Sequence, residues 1–141
     1  MRSFLMLIVL LTSVLSGCGK NEVSFSEISI DQATRDVKDF IETGVTTEDS
    51  NGIHIFENAS DTRYLYLDQD YLESGKGFGS LDIKTDDNAW NIYLTEEDEV
   101  TKAAESYRLY KIKLDKDYEY MRVFKNGEET YFQSVSGIKD Y

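Results

Sequence analysis

Between residues 29 and 43 the chain alternates with a helical period. Ala33, Val37, Phe40 and Ile41 fall on one stripe, while Arg35, Asp36, Lys38 and Asp39 face the other way. Ser29 and Gln32 have the spacing of a capping box, and Ile28 with Ala33 that of a hydrophobic staple. Gly44 is placed to end the helix in the left-handed conformation. After a polar loop over 45–51 the period drops to two. Segments 53–57 and 63–68 predict strands joined by 58–61, and 80–84 with 90–94 predict a second pair around 85–88. In the second pair Leu81 and Ile83 share one face, and Trp90, Ile92 and Leu94 share another. Residues 96–105 form an acidic excursion with some helical character. Segments 107–114, 118–124 and 130–135 then predict a meander, turning at 115–117 and at Asn126-Gly127, a strong type I′ hairpin signal. One helix ahead of six or seven mainly antiparallel strands predicts an α+β fold. The helix would lie on a sheet face or plug a partly open barrel. Parallel βαβ order is missing from the pattern, so a nucleotide site at a topological switch point is not expected.

The first residues obey a different logic. Met1-Arg2-Ser3 carries one positive charge, 4–14 is apolar except for Thr12 and Ser13, and Leu15-Ser16-Gly17-Cys18 follows directly. The apolar run is shorter than the roughly 20 residues of a membrane-spanning helix and has the layout of a secretory signal. Leu15-Ser16-Gly17-Cys18 resembles the lipobox of bacterial lipoproteins. That resemblance implies a diacylglycerol on the Cys18 thiol, cleavage between Gly17 and Cys18, and lasting attachment through two acyl chains. The expected organisation is a signal peptide over 1–17, a lipidated cysteine and short tether over 18–27, and a single extracytoplasmic domain over 28–141. The expected location is the outer face of the cell membrane. A tether over 19–25 spans only about 25 Å when extended, so the domain would sit close to the bilayer.

Composition narrows the partners. Removing seventeen residues from 141 leaves 124, the size of one domain. The only cysteine is the one the lipid would use, so no disulfide can brace the exported part. Ten tyrosines and, with Phe4 lost in the signal, six of the seven phenylalanines supply a core by burial alone. Net charge is −12, or −13 once Arg2 is removed, and no basic run exceeds a pair. Nucleic acid is therefore disfavoured as a partner, and the acidity suits either solubility or a basic envelope protein.

Few residues suggest catalysis. His54, the single histidine, alternates with Ile53 and Ile55 and reads as a half-buried or surface strand residue without a partner. With no second histidine and no free thiol, Cys–His and Ser–His–Asp chemistry and a typical zinc site are not expected. Ser136-Gly137-Ile138-Lys139 matches a Ser-x-x-Lys string but follows a strand at the end of the chain, where chance is the simpler reading. Thr47-Glu48-Asp49-Ser50-Asn51-Gly52, with Glu57 downstream, resembles half an acidic calcium loop; Thr47 stands where Asp is wanted and Asn58 where Glu is wanted. Asp68 with Asp70, and Asp115 with Asp117, read as turn formers. No metal, no cofactor and no enzyme activity are expected.

Two features remain as candidate binding elements. Gly75-Lys76-Gly77-Phe78-Gly79 reads as a bulged entry into the following strand, or as a nest of amides holding an anion beside Lys76. Tyr64 and Tyr66 share a face opposite Leu65 and Leu67, while Tyr118 and Tyr120 alternate with Glu119 and Met121; such tyrosines form either a binding face or the rim of a half-buried sheet. Segment 64–67, the glycine run, 81–84 and 108–114 together resemble the C-terminal region of PrcB-type lipoproteins. That resemblance implies an accessory role beside a surface protease. The expected function is a non-catalytic protein-interaction module of accessory, inhibitory, immunity or exclusion type, engaging an envelope protein. The alternative is a lipoprotein that binds a small ligand or cation.

Overall fold

A computed structural model describes residues 22–43, 49–98 and 106–137. Several expectations fall outside the described residues: the signal peptide 1–17, Cys18, Gly44, Thr47, Glu48, the stretch 99–105, and Ile138 with Lys139. The described chain is mostly β. In order it comprises β1 (Ser24–Ile28), α1 (Arg35–Thr43), β2 (Ile53–Ala59), β3 (Thr62–Asp68), β4 (Lys76–Thr85), β5 (Ala89–Asp98), β6 (Tyr107–Lys113), β7 (Tyr120–Lys125), β8 (Glu128–Thr130) and β9 (Ser134–Gly137).

The strands form two sheets rather than a barrel. One has five strands in the order β1-β6-β3-β2-β9, the other four in the order β4-β5-β7-β8. Their facing sides are the main core. Ile53, Ile55, Leu65, Leu67 and Ile112 of the first sheet meet Trp90, Ile92, Leu94 and Val123 of the second. The period of two read in the sequence puts these residues inside. The opposite residues of the five-stranded sheet, Phe56, Tyr64 and Leu109, receive Val37 and Phe40 of α1. The Phe40 and Phe56 rings lie 5.0 Å apart. The molecule is thus layered helix, sheet, sheet, and the helix covers only one of the two outer sheet faces.

Four expectations need correction. A strand precedes the helix: residues 24–27, expected to be tether, belong to β1 and pair with β6. The Ser29–Gln32 box closes a short 3-10 turn, with the Ser29 N–H donating to Gln32 Oε1 at 2.9 Å, and α1 begins only at Arg35. The described residues form nine strands rather than six or seven. Finally, 107–135 is not a meander. After β6 the chain crosses between sheets at 114–119 and enters β7 parallel to β5; after β8 it crosses back, and β9 runs parallel to β2. The Asn126-Gly127 hairpin between β7 and β8 is as expected, with φ of 50° and 85° at the two turn residues.

Candidate functional site

The lone histidine has partners that local sequence could not show. His54 is fully buried, on the α1 side of β2. Its Nε2 lies 3.0 Å from Asp68 Oδ2, and its Nδ1 lies 2.8 Å from Ser134 Oγ. A carboxylate only accepts, so Nε2–H donates to Asp68; in the neutral imidazole Nδ1 then accepts the Ser134 hydroxyl. The order serine, histidine, aspartate is that of a nucleophile relay, and the expectation that His54 is a half-buried or surface residue without a partner is corrected. The setting is that of a tie between strands. Ser134 sits opposite His54 in the β2–β9 pair, Asp68 ends β3, and Asp68 Oδ1 also accepts the Asp70 N–H at 2.8 Å. The chain of bonds therefore joins β9, β2 and β3 at the sheet edge, and the open cleft described below lies elsewhere.

The glycine segment is built into β4. The register with β5 shifts between Phe78 and Leu81, which is the bulged reading of the run. Phe78 is 5% exposed and stacks on Tyr71 with centroids 5.9 Å apart, while Lys76 Nζ is paired with Asp98 at 2.7 Å. A Cβ on Gly79 would come within 2.5 Å of Thr95 Oγ1, which receives the Ser80 N–H. These contacts make Phe78 and Gly79 packing residues, and Asp98 neutralises the cation that an anion nest would use. A Cβ on Gly75 would meet nothing within 4 Å, and one on Gly77 would meet only Glu97, at 3.8 Å. Beneath this segment Lys125 Nζ bonds the Tyr71 carbonyl, lies 4.4 Å from the Tyr71 ring centroid and sits 3.6 Å from Glu96 Oε1. Glu96 also accepts the Glu73 N–H and the Asn126 side-chain amide. Desolvation pushes the Glu96 carboxyl up, but these bonds and Lys125 together outweigh it and hold the group below the ordinary range. Burial, above all, lifts the Tyr71 phenol.

The tyrosine stripe on β3 is likewise internal. Tyr64 is 3% exposed under α1, and Tyr66 is half-buried against Tyr107 with ring centroids 5.8 Å apart. Tyr64 is therefore a packing residue. The aromatic face lies instead on the four-stranded sheet. Tyr93 of β5 and Phe124 of β7 stack at 4.7 Å on its outward side, with Lys84 Nζ 5.3 Å from the Tyr93 centroid. Arg122 and the half-exposed Tyr120 continue the β7 row. No described helix or strand packs over this face. Tyr93 and Phe124 are spaced by cross-strand pairing, Cα partner to Cα partner, and that pairing is parallel and long-range. Alternation alone therefore could not have found them.

At one end of the sandwich, the β2–β3 hairpin and the crossover 114–119 enclose a cleft of about 370 Å³. Trp90, Leu114 and Met121 supply its apolar lining, Tyr118 and Tyr120 its aromatic lining, and Glu57, Arg63, Asp117 and Glu119 its charges. The Tyr118 hydroxyl donates to Asp115 Oδ1 at 2.6 Å; burial and that carboxylate keep the phenol above its usual range. Asp115 and Asp117, read as members of a hairpin turn, belong to the crossover that walls this cleft. Glu57, read with the acidic loop, is paired to Arg63 at 3.5 Å. Tyr120, noted in the sequence as one of an alternating pair, contributes to both the cleft and the outward face. Comparison of the chain with protein-family models, curated proteins and solved structures gave no match.

Proposed function

We propose that this protein is a lipid-anchored module on the outer side of the cell membrane that docks another envelope protein without catalysing a reaction. The outward face of the four-stranded sheet carries this reading. Stacked Tyr93 and Phe124, flanked by Lys84 and Arg122, form an aromatic centre with a charged rim. Aromatic residues and arginine are the types that concentrate binding energy at protein interfaces. A sheet normally buries at least one face; among the described residues the first sheet is covered on both sides and the second on one, and Tyr93 and Phe124 stand half-buried on the uncovered side. The tightly filled space between the sheets favours docking over enclosure of a ligand within the core.

The anchor rests on the Leu15-Ser16-Gly17-Cys18 motif. The described residues contain no helix long and apolar enough to cross a membrane, and an acidic chain gains nothing from an anionic leaflet, so attachment falls to the acyl chains. The test is crosslinking of intact cells followed by capture of the protein. Native chain should hold a specific partner. The Tyr93→Ser/Phe124→Ser variant should lose it while remaining folded and anchored, and Cys18→Ser should lose it through release from the membrane. Equal capture by the native and doubly substituted chains would refute the docking face.

A further inference from the structure

The charges around the cleft divide into paired and unpaired. Glu57 and Arg63 satisfy one another, and Arg63 Nη1 is already donated to the carbonyls of Ala59, Ser60 and Thr62. That guanidinium is therefore committed and cannot serve as an anion receptor. Asp117 and Glu119 are exposed and carry no ion pair among the described residues. The opening thus presents two carboxylates that form no ion pair among the described residues, over half-buried Met121 and the edge of buried Trp90, with the Tyr120 ring, 51% exposed, beside them. The aromatic wall is already suited to a cation: Lys116 Nζ of this same chain lies 5.1 Å from the Tyr118 centroid. A bare metal ion is a poor fit, since no three His, Cys, Asp or Glu side chains converge as ligands among the described residues, and hard cations want about six or more organised oxygens. The volume lies within the roughly 300–1,000 Å³ of small-molecule sites.

We infer that this cleft binds an alkyl cation, with an ammonium or guanidinium head at Asp117 and Glu119, its stem on Trp90 and Met121, and the Tyr120 ring alongside. A long cationic side chain buries its stem while its head stays near water, and the cleft offers both surroundings. The same chemistry is carried by a lysine or arginine of a protein and by a free polyamine. The inference goes beyond the docking face and requires neither the anchor nor the partner.

Trp90 is the only tryptophan of the chain, so its fluorescence reports on the cleft directly. The full chain in mild detergent is titrated with cadaverine, with N-acetyl-Gly-Lys-Gly-amide and with N-acetyl-Gly-Glu-Gly-amide. Both cationic probes should give a saturable change and the acidic peptide none. Asp117→Asn/Glu119→Gln should weaken binding about tenfold, and Asp82→Asn, on the exposed edge strand, should leave it unchanged. Tighter binding of the lysine peptide assigns the cation to a protein side chain; tighter binding of cadaverine assigns it to a free amine. Three results would overturn the inference: no saturation by either cationic probe at about 10 mM, equal binding of the acidic peptide, or undiminished binding by the double variant with a native circular dichroism spectrum.

Discussion

Replacing His54 by alanine removes a fully buried ring and both of its hydrogen bonds. Each bond contributes about 1 kcal/mol net. The space left by the imidazole, in a partly collapsible site at the sheet edge, adds about 1–2 kcal/mol. The sum is about 3–4 kcal/mol, a large fraction of the roughly 5–15 kcal/mol that holds a domain together. Urea unfolding followed by Trp90 fluorescence measures it, because Trp90 lies in the inter-sheet core and not beside His54. Ser134→Ala removes only the β9 end of the tie and should cost about 1 kcal/mol. The two substitutions touch one bond, so the double variant should be less destabilised than the sum of the single ones. Amides of β9 should lose hydrogen-exchange protection before those of β3 in both single variants. A loss below about 1 kcal/mol for His54→Ala, or strict additivity with Ser134→Ala, would refute the tie.

Three further outcomes follow from the same geometry. If the Ser134 relay is structural, a fluorophosphonate probe should leave Ser134 unlabelled in the native chain, as read by peptide mass spectrometry; stoichiometric labelling would show a reactive nucleophile. The folded pKa of Glu96 is depressed, so its contribution is fully present above the ordinary carboxylate range and is lost as pH falls through the folded value. The stability gap between native chain and Glu96→Gln should therefore be wide at pH 7 and shrink in acid, by urea midpoints across that range. Gly52 and Gly75 have nearly equal φ, 74° and 78°, but a Cβ on Gly52 would lie 2.2 Å from the Tyr71 backbone nitrogen while one on Gly75 meets nothing within 4 Å. Gly75→Ala should cost about 1–2 kcal/mol, and Gly52→Ala distinctly more, visible as a larger drop in Tm.

What local pattern decides was legible in the chain. The stripe Ala33, Val37 and Phe40 does face the core, and the inward residues of β2, β3 and β5 alternate as their period requires. The Asn126-Gly127 turn was readable because two successive positive φ angles select those residues. β1 was hidden because its sequence, Ser-Phe-Ser-Glu-Ile, is mostly exposed at a sheet edge and offers little apolar period. Sheet membership was hidden for a different reason. The crossover 114–119 and a hairpin turn have similar length and polarity, and only packing of Met121 and Val123 against the inter-sheet core decides between them. The candidate sites share that limit. Ser134 is 80 residues from His54, and Asp117 comes to line the same cleft as Glu57 only through the crossover. Whether Tyr64 lies on a binding face or inside stayed open because alternation gives two faces to a strand without saying which one a helix or a second sheet will cover.

A docking face matters to an envelope partner only if the module is held on the outer side of the bilayer, so the state of its first residue is the decisive quantity. Mass spectrometry of the protein isolated from its own cells should find residues 1–17 gone and a chain starting at Cys18 with a diacylglyceryl thioether. An intact Met1 together with an unmodified Cys18 thiol would contradict the account.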